Sequence, residues 1–307
     1  MSSLPSHSAR RPKVALVTGA NGGLGRWCSL GLARLGAVVI LGCRNARRGQ
    51  AAIDWIHQQV PAARLELLTM DLANLSSVHE AAQELAERHQ VLDILVNNAG
   101  VMMLPLAMTM DGFEQQFGIN YLAHYALTAL LFRRLMASDA SRVVSVASIV
   151  ANHGTIQLDD LQGLTSYGRS RAYAQSKLCN LLFGKELARR AAAQGLTLTS
   201  VIAHPGFANT GLQRRTGRAN LGRVGEVAMI GANLLFAQSA ERGAIPLIGA
   251  ASDPTIDNGA YLGPNGFKEL WGRKAALAHT PKAAHDEKLA SELWELSAAL
   301  CGVSFPI

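Results

Sequence analysis

The chain is expected to fold as an α/β protein on a doubly wound parallel sheet, and three features of the sequence predict this. Short β-branched runs alternate with longer amphipathic stretches, the runs are apolar without interruption, and no internal repeat or linker divides the pattern. A strand that is apolar at every residue must be covered on both faces, which parallel strands flanked by helices achieve. Right-handed crossovers then place helices on both sides of the sheet.

Strands are read at 14–18, 38–41, 65–69, 94–97, 143–147 and 198–202, with helices near 24–35, 46–59, 76–89, 112–136 and 171–194 between them. After residue 202 the rhythm changes. Residues 203–224 are loop-like and carry Arg214, Arg215, Arg218 and Arg223; helices follow near 226–238 and 241–251, then a seventh strand at 259–262. In 285–301, Leu289, Leu293, Leu296 and Leu300 share one helical face. Asp286 and Glu287 suit the positive end of that helix. The expected organisation is a polar arm over 1–12 and one domain over 13–307, with a substrate loop at 207–224 and a C-terminal extension at 263–307.

Composition excludes several classes of function. Hydrophobic residues make up 49% and charged residues 17%, ample for a core and unlike a disordered chain. The formal charge is +7, but basic pairs at 10/11, 47/48, 133/134, 189/190 and 214/215 are dispersed, and aromatics are only 6%. A nucleic-acid surface would concentrate both. Cys28, Cys43, Cys179 and Cys301 lie far apart with no CxxC pair, and the histidines show no HExxH spacing. No disulfide framework and no metal site is therefore expected, and a reducing, cytoplasmic compartment is. Residues 1–12 lack the apolar segment of a signal peptide, and no window of 18 apolar residues spans a membrane.

The first strand runs into Thr18-Gly19-Ala20-Asn21-Gly22-Gly23-Leu24-Gly25 and then a helix. Glycines let the backbone turn tightly against a pyrophosphate, whose charge the helix N-terminus favours. The strand–turn–helix context makes this a dinucleotide cradle formed by Gly19, Asn21, Gly22, Gly23, Leu24 and Gly25. Strand two ends Leu41-Gly42-Cys43-Arg44-Asn45, with Cys43 where a carboxylate would meet an unphosphorylated ribose. Arg44 offers a guanidinium to a 2′-phosphate instead, so NADP(H) is the expected cofactor. Asp71 and Leu72 after strand three are expected at the adenine, and Asn98, Ala99 and Gly100 after strand four at the ribose.

Tyr173 and Lys177 stand one helical turn apart and share a face. The ammonium is expected to pull the phenol pKa down from about 10, so that Tyr173 exchanges a proton with a carbonyl oxygen as hydride moves. Ser148 ends strand five at the same sheet edge, whereas Ser145 points elsewhere by alternation. Asn120 is a poor helix former inside a helical stretch. Its amide either fixes a water that relays protons to Lys177 or is a satisfied buried amide. Pro205 and Gly206 make a rigid turn suited to the nicotinamide, with Thr210 near a phosphate.

TGxxxGxG at 18–25, NNAG at 97–100, Asn120, Ser148, YxxxK at 173–177 and PGxxxT at 205–210 together resemble the short-chain dehydrogenase/reductases, in order and spacing over about residues 13–265. The resemblance implies a Rossmann-type sheet of strand order 3-2-1-4-5-6-7 and a catalytic set of Asn120, Ser148, Tyr173 and Lys177. GCRN after strand two and the long interval from Ser148 to Tyr173 are similar to the retinol dehydrogenase and protochlorophyllide reductase-like branch. Gly22 and Ala147 depart from the common pattern, and the tail from 263 to 307 is longer than in minimal members.

The function expected is NADP(H)-dependent interconversion of a carbonyl and an alcohol. Met102, Met103, Leu104, Phe207 and Leu212 point to a lipophilic substrate, although the methionines equally suit a core. Reduction of a carbon–carbon double bond and a catalytically silent NADP(H)-binding sensor are the alternatives. Family members often pair through the helices corresponding to 112–136 and 171–194, so a homodimer or homotetramer is expected, with a monomer open if the insertion at 149–172 and the tail cover that surface.

Overall fold

The computed structural model describes residues 11–209 and 237–307. Its first half alternates β1 (Val14–Thr18), α1 (Gly23–Arg34), β2 (Val38–Cys43), α2 (Ala46–Gln59), β3 (Arg64–Thr69), α3 (Leu75–Arg88) and β4 (Ile94–Asn97). Asn45 and Asn74 begin α2 and α3 by accepting backbone N–H bonds with their side chains, the usual N-cap chemistry of asparagine. A single turn at Gln115–Phe117 leads through a π-helical turn at Gly118–Leu122 into α4 (Ala123–Leu130), and α5 (Phe132–Met136) follows. The second half holds β5 (Arg142–Val146), α6 (Arg169–Ala193), β6 (Thr199–Ala203), β7 (Ala208–Asn209), β8 (Gln238–Ser239), α7 (Ala240–Gly243), α8 (Ile245–Ser252), β9 (Tyr261–Pro264), β10 (Ala275–Leu277) and α9 (Glu287–Cys301).

The main sheet runs β3-β2-β1-β4-β5-β6-β9-β10. All neighbours are parallel except β9 and β10. The expected seven-strand order is present, with β9 as the seventh, and the sheet has an eighth strand because the tail folds back antiparallel on β9. β7 and β8 form a separate two-stranded pair. Gln238, placed in a helix by the sequence pattern, belongs to this pair; the rest of 226–238 apart from residue 237 lies outside the described residues.

The uninterrupted apolar strands are explained by two cores, one on each face. Leu16, Ile40, Leu95, Val143 and Ile202 pack on one side; Ala15, Val17, Val39, Val96, Val144 and Val201 pack on the other. Successive side chains of one strand thus enter opposite cores. The tail closes the first core. Asp286 caps α9 through Leu289 N–H, and α9 packs on α6. There Trp294 and Phe305 join Tyr121, Tyr125 and Phe183 in an aromatic cluster, with Trp294 and Phe305 ring centroids 4.4 Å apart. The two helical faces expected to pair with another subunit are therefore partly covered by the chain's own tail. Arg11 forks onto the buried Asp93 carboxylate at 2.7 and 2.8 Å, tying the residues just before β1 to the sheet.

Candidate active site

Parallel strands bring all their C-terminal ends to one edge, and the crevice lies where the order reverses between β1 and β4. There Gly19 has φ +66°, and a Cβ on it would stand 2.9 Å from Ala99 Cα. A Cβ on Gly25 would be 2.5 Å from Gly19 O and 2.6 Å from Asn98 Nδ2, whereas one on Gly22 meets nothing within 4 Å. Gly19 and Gly25 therefore secure close packing, while Gly22 borders open space. The start of α1 has no side-chain cap and no acid in its first turn, so its N–H groups are left for an anion. This cradle fits a pyrophosphate.

Behind the loop Thr18 is a junction that the sequence reading missed. Its Oγ1 receives the N–H groups of Asn98 and Ala99, both at 2.9 Å, and lies 2.9 Å from His124 Nε2. Asn98 adds an Nδ2 bond to Thr18 O at 2.7 Å, so its side chain braces the glycine loop. His124 Nδ1 donates to Asn120 O at 3.0 Å, which fixes the tautomer and makes Nε2 an acceptor for the threonine hydroxyl. Burial lowers His124 to about 4, and the neutral ring suits both bonds. A threonine opening the glycine motif and a histidine one turn after Asn120 were the available signals.

The helical break at Asn120 has a physical origin in the π turn at Gly118–Leu122. Asn120 Oδ1 accepts Val101 N–H at 2.7 Å, and Nδ2 donates to Val101 O at 3.0 Å and Ser176 Oγ at 2.9 Å. The Asn120 side chain is thus held by Val101 and Ser176, and Oδ1 keeps a second lone pair. Gly100 fits beside it, since a Cβ there would stand 3.0 Å from Asn120 Oδ1 and 3.6 Å from Lys177 Nζ.

Ser148, Tyr173 and Lys177 meet at the end of β5. The Ser148 side chain lies beside the Tyr173 phenol and acts to lower its pKa. Tyr173 and Lys177 are both buried, and Lys177 Nζ lies 5.9 Å from the Tyr173 ring centroid. The ammonium donates to Val146 O at 3.0 Å, which is the acceptor of Asn180 Nδ2 as well. The expected lowering of the phenol pKa is corrected here. Burial pushes Tyr173 up to about 12, against a smaller opposing effect of the Ser148 side chain, and burial lowers Lys177 to about 8. Desolvation outweighs the ammonium at that separation. A neutral phenol beside a largely charged amine is poised to give a proton. Ser145 is buried in the sheet, as alternation required.

At the far end of the crevice Cys43 ends β2, where burial raises its thiol to about 11 against smaller opposing effects of the Asn21 and Ala20 backbone N–H groups. Arg44 follows it, exposed, with Arg47 and Arg48 exposed on the first turn of α2. Asp71 Oδ1 accepts Ala73 N–H at 3.0 Å, and Leu72 is buried. Pro205 and Gly206 follow β6, with Gly206 at φ +65°. Thr210, Leu212 and the arginines at 214, 215, 218 and 223 lie outside the described residues.

The insertion packs against the segment after β4. Tyr167 Oη donates to Leu104 O at 2.9 Å, lies 3.0 Å from Glu114 Oε1 and receives Gln116 Nε2 at 3.0 Å. Gln116 Oε1 accepts Met103 N–H at 2.6 Å, holding Met103 at φ +49°. A non-glycine residue in that region persists only where its surroundings over-determine it. Nothing in residue spacing marked Tyr167, Glu114 and Gln116, because they converge only through tertiary contact. Among the described residues no His, Cys, Asp or Glu cluster could hold a metal ion, and no helix is long and apolar enough to cross a membrane.

A parallel sheet with an open glycine cradle and a Ser–Tyr–Lys group at one edge defines a dinucleotide-binding oxidoreductase. The family model described as short chain dehydrogenase matches residues 13–220, and the chain belongs to that family, whose members act on alcohol and carbonyl groups. Retinol dehydrogenase 14 of Mus musculus is 38% identical over 95% of this chain and 86% of its own length. Polyprenol dehydrogenase of Mus musculus is 38% identical over 94% and 84%. The retinol dehydrogenase branch is thus the one the sequence resembled. An uncharacterised protein from Mycobacterium paratuberculosis superposes with TM-score 0.77 at 36% identity, covering 96% of this chain and 95% of that one. A protein from Beutenbergia cavernae described as an NAD(P)-dependent gluconate 5-dehydrogenase, with NADP bound at low occupancy, gives TM-score 0.60 at 27% identity, covering 78% of this chain and 90% of that one.

Proposed function

We propose that the chain interconverts a lipophilic alcohol and its carbonyl compound with NADP(H), Tyr173 exchanging the proton. The observation that carries this reading is the buried Tyr173–Lys177 pair, with Nζ 5.9 Å from the ring centroid and the Ser148 side chain beside the phenol. When bound, the dinucleotide supplies or accepts hydride at its nicotinamide. Ser148 and Tyr173 would hold the substrate oxygen, and Tyr173, neutral up to about 12, would donate the proton in reduction. Lys177 would hold the nicotinamide ribose and favour the tyrosinate left behind. Gly19, Asn21, Gly22, Gly23, Leu24 and Gly25 would carry the pyrophosphate, Asp71 and Leu72 the adenine, Asn98, Ala99 and Gly100 the ribose, and Pro205 and Gly206 the nicotinamide. Arg44, with Arg47 and Arg48 beside it, supports NADP(H) over NAD(H).

The named substrates of the two curated relatives, retinol and polyprenol, are both isoprenoid primary alcohols with the hydroxyl next to a double bond. That chemistry and the apolar wall at Met102, Met103 and Leu104 support a long allylic alcohol–aldehyde pair as the substrate class. The α9 and Phe305 cover on α6 supports the monomer among the expected oligomeric states. Four buried free thiols support a reducing compartment, and the cytoplasm is the proposed location.

An NADPH-oxidation screen over isoprenoid aldehydes, short aldehydes, ketones and quinones tests the reading. Isoprenoid aldehydes should give the highest kcat/KM; turnover confined to small polar carbonyls would overturn the substrate class. The pH dependence provides a second test. Lys177 is charged below about 8 and loses that charge as pH rises through it, whereas Tyr173 stays protonated throughout. The kcat/KM for reduction should therefore be flat from pH 6 to about 7.5 and fall above about 8. A profile that rises across that range would contradict the assignment.

A further inference from the structure

The C-terminal extension touches the cofactor crevice at one place. Between β9 and β10 the chain makes a turn in which Lys268 and Glu269 have φ +48° and +59°. Two consecutive non-glycine residues in the left-handed region persist only where surrounding contacts hold them. What holds them is the turn after β6. Phe207 N–H donates to Leu270 O at 2.9 Å, and a Cβ on Gly206 would stand 2.6 Å from Leu270 O and 2.8 Å from Glu269 O. The two turns are in backbone contact.

The side chains make that contact specific. His204, the last residue before Pro205, has a fully buried ring. Its Nδ1 accepts Gly206 N–H at 3.2 Å, so that nitrogen carries no proton and Nε2–H donates to Glu269 Oε2 at 2.9 Å. Glu269 Oε1 accepts His279 N–H at 2.7 Å, and the His204 bond is the largest influence holding its carboxyl below the usual range. Gly263 makes room for the ring, since a Cβ there would lie 2.2 Å from His204 Nε2. Tyr261 packs on His204 at 5.2 Å between ring centroids, and its hydroxyl donates to Ser148 O at 3.3 Å. One chain of contacts, buried at His204 and Tyr261, therefore runs from the tail to the Pro205 turn and to the Ser148 backbone.

We infer that Glu269 is a positioning residue: through the His204 ring it fixes the Gly206 backbone, and so sets the nicotinamide end of the dinucleotide site from the C-terminal extension. This rests on the reading that Pro205 and Gly206 face the nicotinamide. Glu269 itself touches no reacting atom, and its influence passes through one tautomer of one histidine.

The experiment compares two ligands on the full chain. NADPH occupies both halves of the crevice; adenosine 2′,5′-bisphosphate occupies the adenine half alone. Glu269→Ala should raise the NADPH Kd at least fivefold and leave the bisphosphate Kd within twofold of wild type. Glu269→Gln keeps the volume and one acceptor oxygen, which serves either His204 or the His279 amide but not both. It should give a smaller selective loss of about two- to threefold, and it carries the same comparison if the alanine variant does not fold. Equal changes for both ligands, or none for either, would overturn the inference. If wild type binds the bisphosphate but gains nothing from the nicotinamide half, the underlying cofactor reading fails instead.

Discussion

Tyr173→Phe should lower turnover by about a thousandfold or more while leaving the NADPH Kd within about twofold. The substitution removes one oxygen from a buried side chain and keeps the ring, so the packing of α6 is retained. The lost oxygen is the phenol that stands beside the Ser148 side chain, whereas the Tyr261 hydroxyl nearby is turned to the Ser148 backbone carbonyl. General acid catalysis by a positioned side chain contributes about 10²- to 10⁴-fold, and the phenol also orients the substrate oxygen. A thousandfold loss corresponds to about 4 kcal/mol of transition-state stabilisation. Stability should change far less, by about 1 kcal/mol, because one polar oxygen is removed and the ring packing is kept. Thermal melting separates the two effects. Turnover within tenfold of wild type would assign the proton to another group.

Arg44→Asp should weaken NADPH binding by about 30-fold or more and leave NADH within about threefold. Loss of a charge-assisted contact with new repulsion of the 2′-phosphate is worth about 2–4 kcal/mol, or about 30- to 1,000-fold. Arg44 is exposed, and Arg47 and Arg48 stand on the adjoining turn, so the lower end of that range applies. Paired titrations with the two cofactors measure it. Equal weakening of both would mean that Arg44 supports the loop without reading the phosphate.

Much of the fold was legible because its signals are local. β1 and β4 fall at the expected residues, and α2 does too, since apolar runs and an asparagine cap suffice to mark them. The eighth strand was not legible: Ala275–Leu277 is short and pairs antiparallel on β9 only after the tail has turned at 268 and 269. In the site, the glycine cradle and the Ser148, Tyr173 and Lys177 group could be read because register on successive strand ends brings them together. What escaped is what depends on depth and reach. Burial, invisible in spacing, reversed the expected direction for Tyr173. The π turn, which a lone asparagine hinted at, directed its carbonyl to His124 and its amide to Val101. Glu269 and Tyr167 act across long sequence separations, and neither has a local signature.

The most direct measurement follows deuterium from C4-deuterated NADPH into the product of an α,β-unsaturated isoprenoid aldehyde. The account predicts one deuterium on the carbinol carbon, the double bond retained, and the transfer lost in Tyr173→Phe. Deuterium on the β-carbon of a saturated aldehyde, or its transfer undiminished in the phenylalanine variant, would contradict it.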